Sequence, residues 1–409
     1  MNARSSVSPP APAPERPPAT SARRHRWRRG AGWTALVLGV LVLIVYGLGG
    51  WYFAGQIRSD GLAVTHTPPG YEDLVVAVDA DTVTVRAHDE GQDQPGEVVG
   101  LWWSGGYAQL GPATSTAGTD QVRPVRAVLW GTLPGVGTSV ELDGFAVRPD
   151  PSALNLPFSE VPIATPLGEA PAWLVPGASD TWAVVAHGRG AERAEALRVI
   201  PTLHRAGLTV LDITYRNDEG APQTDGLARF GQEEWPDLQA AVVYAVDHGA
   251  DGVVLYGLSM GGGMDLAYLL HGTAGLDAVR GVVLDAPTAD FGATIEQAAD
   301  ERTLPLLGLP IPDSLVTVAK WIESTRDDVS WSQVDYVAQA GDLPEIPILI
   351  LHGADDARIY PATSRALAAA RPDLVTLVEF PDAGHVLSWN ADPGRYEAEV
   401  TAFLATLSP

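Results

Sequence analysis

The second half of the chain alternates short apolar runs with longer segments in which apolar residues recur every three or four positions. The short runs are typical of strands buried on both faces, and the longer segments are typical of amphipathic helices. Over residues 166–409 this alternation predicts a mostly parallel sheet flanked by helices, which is an α/β fold class. The predicted strands are Thr181–Ala186, Leu208–Thr214, Val253–Tyr256, Val279–Leu284, Ile346–Leu351 and Leu374–Phe380.

Helices are predicted between and after these strands. Trp235–Asp247 and Tyr396–Leu407 have apolar residues at helical spacing, and a further helix begins directly after Ser259. Ala191–Ala206 is also predicted to be a helix, with a kink at Pro201 because proline removes a backbone donor.

One segment, Phe291–Asp342, interrupts the alternation and is too long for a single crossover helix. It contains a proline-rich apolar run, Leu304–Pro310, and an amphipathic stretch, Ser314–Ile322. We predict a partial cap over residues 291–342, with a longer helical excursion as the alternative.

Residues 60–165 have short β-type runs separated by glycine- and proline-containing turns, which is typical of antiparallel sheets. We predict a small β-rich accessory domain between the membrane and residues 166–409. Trp102, Trp103 and Trp130 are interpreted as packing aromatics, with a binding patch as the alternative. The predicted strands are Leu74–Val78, Thr82–Arg86, Val98–Trp103, Val125–Trp130 and Ser139–Val147.

The N-terminus predicts a membrane anchor. Residues 1–31 are rich in proline, alanine, serine and arginine and are predicted to form a disordered basic tail. Residues 32–54 are predicted to be a transmembrane helix, because Trp33–Phe53 has no charge and is long enough to cross a bilayer. Arginines before the helix predict a single-pass protein with a cytoplasmic N-terminus. A cleaved signal peptide is the alternative.

The charge is distributed unevenly along the chain. The formal net charge is −24, yet residues 1–31 are basic, so the remainder is strongly acidic. An acidic domain argues against a nucleic-acid partner. The chain has 0 cysteines, which excludes disulfides and thiolate nucleophiles. No metal-ligand spacing or phosphate-binding loop occurs in the sequence, so we expect no metal and no cofactor.

The most informative motif is Gly257-Leu258-Ser259-Met260-Gly261, between an apolar strand and an apolar helical run. In this context Gly-x-Ser-x-Gly predicts a nucleophile elbow, in which a tight strand-to-helix turn exposes the serine above the sheet.

Further polar motifs follow the carboxyl ends of other strands, where catalytic residues of such sheets collect. They are His187-Gly188-Arg189-Gly190, His352-Gly353-Ala354-Asp355-Asp356 and Asp382-Ala383-Gly384-His385. With the elbow they give a serine, an acid and a histidine in the chain order of α/β-hydrolases.

Together these motifs resemble the α/β-hydrolase-fold serine hydrolases over residues 166–409, and within them the membrane-anchored, dipeptidyl-peptidase-like and esterase-like branch. The run Thr214–Gly220 is similar to the Asp-x-Arg-Gly-x-Gly loop of that family, with Asn217 in place of the usual glycine. We therefore predict an α/β-hydrolase fold with an N-terminal transmembrane helix and a small β-rich accessory domain, and the resemblance does not extend to these two additions.

The resemblance and the chemistry assign a role to each candidate catalytic residue. A serine hydroxyl needs a neighbouring base, so Ser259 is the candidate nucleophile and His385 the candidate base. Asp356 is expected to orient the imidazole, with Asp355 as the alternative acid.

Backbone and side-chain roles are also expected at the neighbouring positions. The backbone N–H groups of Arg189 and Met260 are expected to form the oxyanion hole. The Arg189 side chain is expected to form an ion pair with an acidic neighbour, with binding of a carboxylate or phosphate near the oxyanion hole as the alternative. His187 and His352 are interpreted as structural hydrogen-bonding groups.

These residues predict a serine hydrolase that cleaves an ester, thioester or peptide bond through an acyl-serine intermediate, most of all an esterase or lipase. The expected partners are the membrane and a small-molecule, lipid or peptide substrate on its outer side. An acyltransferase with the same triad and a catalytically silent binding module on the same fold are the alternatives.

Overall fold

The N-terminal part of the structure is one long helix. The computed structural model describes residues 8–11, 21–88, 96–305 and 307–407. Helix α1 spans Ser21–Gln56 and continues through a wider helical turn, Ile57–Leu62. Within Leu36–Leu62 the most apolar window of 18 residues has a mean hydropathy of 2.1, and the helix is long and apolar enough to cross a membrane.

The start of α1 lies within the predicted tail. The helix begins inside residues 1–31, for which the sequence predicts disorder throughout. The adjoining apolar stretch forms a helix, and the arginines and alanines that make up most of residues 21–31 favour its extension despite Gly30. Residues 1–7 and 12–20 of the predicted tail lie outside the described residues.

Seven strands follow and close into a small antiparallel barrel. They are β1 Asp73–Val78, β2 Thr82–Arg86, β3 Val99–Trp103, β4 Gly106–Leu110, β5 Ser115–Ala117, β6 Asp120–Gly131 and β7 Ser139–Asp143. Their order is β2-β1-β7-β3-β4-β6-β5, and an additional pairing of β2 with β6 closes the sheet. Strands β4 and β5 were not predicted, because β5 has only 3 residues and β4 begins at Gly106, directly after the turn that ends β3.

The three tryptophans of this unit differ in exposure. Trp103 is buried in the barrel interior with Val83, Leu101 and other aliphatic residues. Trp102 packs edge to face against Tyr71, whereas Trp130 remains 38% exposed. The packing interpretation therefore holds for Trp102 and Trp103 and fails for Trp130, which lies near the end of the long strand β6.

The second sheet has eight strands and forms the α/β part of the chain. They are β8 Ser159–Thr165, β9 Gly168–Val175, β10 Thr181–Ala186, β11 Thr209–Ile213, β12 Gly252–Leu258, β13 Val279–Asp285, β14 Ile348–Gly353 and β15 Val375–Phe380. The order is β8-β9-β11-β10-β12-β13-β14-β15, with the six strands from β11 to β15 parallel. β8 and β9 form an antiparallel hairpin that joins the edge through β11.

Because the β8–β9 hairpin belongs to the eight-stranded sheet, the boundary between the two units lies before Ser159 and not after residue 165. Ser159–Thr165 was assigned to the accessory domain of residues 60–165, yet it pairs along its length with β9 of the eight-stranded sheet. A hairpin has the same local pattern in either unit, and only the pairing of β9 with β11 decides its place.

Helices cover both faces of this sheet. They are α2 Ile200–Arg205, α3 Trp235–Asp247, α4 Met260–His271, α5 Phe291–Asp300, α6 Asp313–Arg326, α7 Pro361–Ala370, α8 Ser388–Ala391 and α9 Pro393–Thr406. The helix predicted over Ala191–Ala206 is shorter, because α2 begins only at Ile200. Pro201 lies in its first turn, where no backbone donor is needed, so it starts the helix and does not kink it.

The predicted cap segment contains α5 and α6, and α6 packs along the end of α1. The Tyr46 hydroxyl lies 2.8 Å from the Ser314 hydroxyl. Gly50 lets the helices approach, because a Cβ atom there would lie 2.5 Å from a methyl group of Val318. Arg58, just beyond α1, forms an ion pair with Asp327 at the end of α6.

Buried polar groups join the barrel to the α/β part. The Asn390 side-chain amide donates to the carbonyls of Val98 and Gly144 at 2.7 and 2.8 Å. The Arg198 guanidinium donates to the Gly144 carbonyl at 3.0 Å and to that of Val386 at 2.7 Å. The barrel is thereby attached to the loop that carries His385.

A second polar contact fixes the loop after β10. The His187 ring lies 3.1 Å from the Asp218 carboxylate, and both side chains are buried. Burial alone would lower the pKa of His187, but the Asp218 charge outweighs it and raises that pKa to about 9. The neighbouring Asn217 has φ of 70°, a conformation that asparagine tolerates, and its side-chain oxygen accepts from Thr224 N–H at 2.8 Å.

Asp218→Asn should change how stability depends on pH. A histidine whose pKa is raised on folding stabilises the protein below its unfolded pKa of about 6.5, and this stabilisation is lost as the pH rises through about 9. The wild-type free energy of unfolding should therefore fall over this range by about 3 kcal/mol more than that of the variant.

Denaturant unfolding of the full-length chain in detergent, from pH 6 to about 9.5, measures the difference. Glu219→Gln, at the exposed neighbouring acid, is the control and should follow the wild type. Parallel curves for wild type and Asp218→Asn would contradict the ion pair.

Candidate active site

Ser259 occupies the turn between β12 and α4. Its backbone has φ of 52° and ψ of −112°, an unfavourable conformation for a residue with a side chain. The turn is tight because Gly261 lacks a Cβ atom, which would lie 2.1 Å from the Ala186 carbonyl oxygen of β10. The Ser259 N–H donates to the Asp285 carbonyl at 2.8 Å, which ties the turn to β13. This is the geometry of a nucleophile elbow.

The structure brings the three predicted catalytic side chains into one hydrogen-bonded line. Ser259 Oγ lies 2.8 Å from His385 Nε2, and His385 Nδ1 lies 2.7 Å from Asp356 Oδ2. The serine comes from the end of β12, the acid from the loop after β14 and the histidine from the loop after β15. Ser259 is only 8% exposed and faces a cavity.

Asp356, and not Asp355, contacts the histidine. Its other carboxylate oxygen accepts from the backbone N–H groups of Arg358 and Ile359 at 2.8 and 2.9 Å. Burial alone would raise the pKa of Asp356, but His385 and His352 more than offset it and hold that pKa far below its usual range. Asp356 is therefore an anion at neutral pH, whereas Asp355 is exposed.

His352 lies directly behind this acid. Its Nε2 is 3.2 Å from Asp356 Oδ2 and 2.8 Å from the Ile359 carbonyl oxygen. Its Nδ1 lies 2.8 Å from the Ser364 hydroxyl. The ring is fully buried and holds the acid in place, which agrees with the structural role that we expected for it.

The two backbone groups expected to form an oxyanion hole lie on loops beside Ser259. Met260 is the first residue of α4, so no carbonyl of a preceding helical turn accepts a hydrogen bond from its N–H. A Cβ atom on Gly188, the residue before Arg189, would lie 3.2 Å from Ser259 Cβ. Among the residues that the structure describes, none forms the expected ion pair with the Arg189 side chain. It donates instead to the carbonyls of Asp60 and Ala63.

Sequence reasoning missed a buried polar chain beneath the triad. Asp285 ends β13, and its Oδ2 accepts from the Tyr396 hydroxyl at 2.9 Å. Tyr256 contacts the same hydroxyl from β12. Burial raises the pKa of Asp285 to about 6. The sequence does show Asp285 as a carboxylate at the end of a buried strand, where functional groups collect. Its partner Tyr396 could not be predicted, because it lies 111 residues further along the chain.

A cavity of about 480 Å³ opens above Ser259. Its lining combines the end of α1, helices α5 and α6, and the loops that follow β10 and β14. The contribution of α1 was not foreseen, because the sequence analysis treats residues 32–54 only as an anchor. The principal lining residues are Phe53, Gln56, Ile57, Asp60, Gly61, Arg189, Phe230, Phe291, Ile295, Ala298, Arg302, Val316, Ala319, Arg358 and Ile359.

Solved structures to which this chain is similar include two esterases and a peptidase. The esterase Pf2001 of Pyrococcus furiosus is 18% identical, with a TM-score of 0.47 over 64% of this chain and 96% of that chain. An esterase of Thermogutta terrifontis is 20% identical, with a TM-score of 0.44 over 61% of this chain and 100% of that chain.

A Mycobacterium tuberculosis puromycin-hydrolysing peptidase is 18% identical, with a TM-score of 0.47 over 81% of this chain and 47% of that chain. No curated protein sequence matches the chain. The model of the alpha/beta hydrolase family matches residues 174–399, which is more than half of the chain. The chain therefore belongs to the alpha/beta hydrolase family.

Proposed function

We propose that this chain is a serine hydrolase that cleaves a carboxylic ester through an acyl-serine intermediate on the outer side of a membrane. The observation that carries the proposal is the unbroken hydrogen-bonded line from Asp356 through His385 to Ser259, which ends in an open cavity. The arginines that precede the apolar part of α1 support the outer location.

The line of contacts gives each group a task. His385 Nε2 takes the hydroxyl proton as Ser259 Oγ attacks the ester carbonyl carbon, and the Asp356 anion stabilises the imidazolium. The backbone N–H groups of Met260 and Arg189 receive the charge that develops on the carbonyl oxygen. His385 then protonates the leaving alcohol, and water attacks the acyl-serine by the same route in reverse.

The lining of the cavity favours an ester with an apolar acyl part. Phe53, Ile57, Phe291 and Val316 provide apolar surface beside Ser259. An acyltransferase would use the same triad with an alcohol in place of water in the second step. Product analysis with an added alcohol acceptor distinguishes these two reactions.

A fluorophosphonate probe should label the full-length chain in detergent, because the probe reacts with a serine activated by a neighbouring base. The full chain is required since residues at the end of α1 line the cavity. Ser259→Ala should abolish the labelling, and Ser332→Ala, at an exposed serine, should preserve it. A folded wild-type chain that remains unlabelled would overturn the proposal.

Asp356→Asn should lower kcat for p-nitrophenyl butyrate about 1,000-fold or more, because the imidazole loses its anionic partner and its correct tautomer. Asp355→Asn should leave kcat within about twofold of the wild type, since that side chain is exposed and outside the triad. Similar losses in the two variants would contradict the assignment of the acid.

A further inference from the structure

Helix α1, which is long and apolar enough to cross a membrane, forms part of the cavity wall. Phe53, Gln56 and Ile57 of the α1 region line the same cavity as Ser259. Arg189, in the loop beside Ser259, donates to backbone carbonyls of Asp60 and Ala63, so the end of this helical segment is fixed against the candidate active site. An anchor that only held the enzyme at a membrane would need neither contact.

The cap meets α1 within its apolar part. Helix α6 meets α1 at three successive positions. The Ser314 hydroxyl contacts the Tyr46 hydroxyl, Leu315 lies beside Gly49, and Val318 lies beside Gly50. Tyr46 precedes Phe53 by about 10 Å along the helix, at a rise of about 1.5 Å per residue. If Trp33–Phe53 spans a bilayer, the first turns of α6 lie at the depth of the outer leaflet.

The surface of the cap near α1 is unusually apolar for a water-exposed surface. Leu307 and Leu309, in the loop between α5 and α6, are 67% and 56% exposed, and Trp321 of α6 is 66% exposed. Trp51 and Tyr52 of α1 are 60% and 49% exposed. Tryptophan and tyrosine are the residues that concentrate at membrane interfaces.

The charges around the cavity indicate the headgroup. Among the described residues, the charged side chains that line it are three arginines and one aspartate, in a chain whose formal net charge is −24. Asp60 lies 3.7 Å from Arg302 and offsets part of this charge. The balance at the cavity is positive, which favours an anionic phosphate near the scissile ester.

We propose that the cap is inserted in the outer leaflet beside α1, and that the substrate is an acyl ester of an anionic glycerophospholipid that enters the cavity from that leaflet. The acyl chain then packs against Phe53, Ile57 and Val316 in the cavity, and the ester carbonyl reaches Ser259. Water hydrolyses the ester to a fatty acid and a lysolipid. This proposal rests on the proposed function and on α1 as the membrane helix.

The position of the cap is tested first, without reference to activity. The chain has no cysteine, so Leu309→Cys and Leu167→Cys each create a single labelling site. Leu167 is 46% exposed on the turn between β8 and β9, outside the cap segment 291–342. In vesicles, quenchers attached to lipid chains should quench a fluorophore at position 309 and leave one at 167 unaffected. Equal quenching at both positions, or none at 309, would overturn the insertion.

The substrate class is tested with full-length protein in dioleoylphosphatidylglycerol vesicles, by release of oleic acid. The double variant Leu309→Glu with Trp321→Glu should release it at least about tenfold more slowly, because charges oppose insertion, yet keep p-nitrophenyl butyrate hydrolysis within about twofold. Leu167→Glu is the matched control and should change neither rate. Equal loss of both activities in the double variant would overturn the proposal.

Two further outcomes separate this inference from the proposed function. Hydrolysis of the soluble ester with no oleate release from vesicles would overturn the lipid substrate and leave the serine hydrolase standing. A wild-type chain that hydrolyses neither substrate and is not labelled by the fluorophosphonate probe would overturn the proposed function itself. Faster release from phosphatidylcholine than from phosphatidylglycerol vesicles would overturn the anionic headgroup.

Discussion

The close approach of β10, β12 and the start of α4 at Ser259 is the constraint on which the site depends. A Cβ atom at Gly261 would meet the Ala186 carbonyl at 2.1 Å, so the helix can pass this strand only at a glycine. The Ser259 N–H is held by the Asp285 carbonyl, and its own carbonyl accepts from the Thr288 N–H at 3.1 Å. The surrounding sheet thus holds the serine in a backbone conformation that it would not adopt alone. The hydroxyl is consequently fixed in direction before any substrate arrives.

The parts of the fold that could be predicted are those whose pattern is local. Thr181–Ala186 and Trp235–Asp247 were predicted with the bounds that the structure gives, because each is a continuous apolar or helical pattern between clear breaks. The three side chains of the triad could also be selected, because each follows a buried strand and such strand ends meet at one edge.

The parts that could not be predicted depend on contacts distant in the sequence. Ser159–Thr165 has the same alternation as the barrel strands, and only its pairing through β9 assigns it to the second sheet. The burial of Asp285 against Tyr396 and the position of Phe53 in the cavity wall likewise depend on tertiary packing. No local pattern encodes these contacts, so the three side chains that meet at Ser259 could be predicted and much of what surrounds them could not.

The buried hydrogen bonds between the barrel and the α/β part constrain how the two parts can evolve. Asn390 and Arg198 are buried and satisfy barrel carbonyls at Val98 and Gly144, while Arg198 also holds the carbonyl next to His385. In a descendant without the barrel, the side chains of Asn390 and Arg198 would lack these carbonyl acceptors. The loop that carries His385 would then be held less firmly. The barrel and the α/β part are therefore expected to be retained or lost together during evolution, unlike modules that recombine freely along a chain.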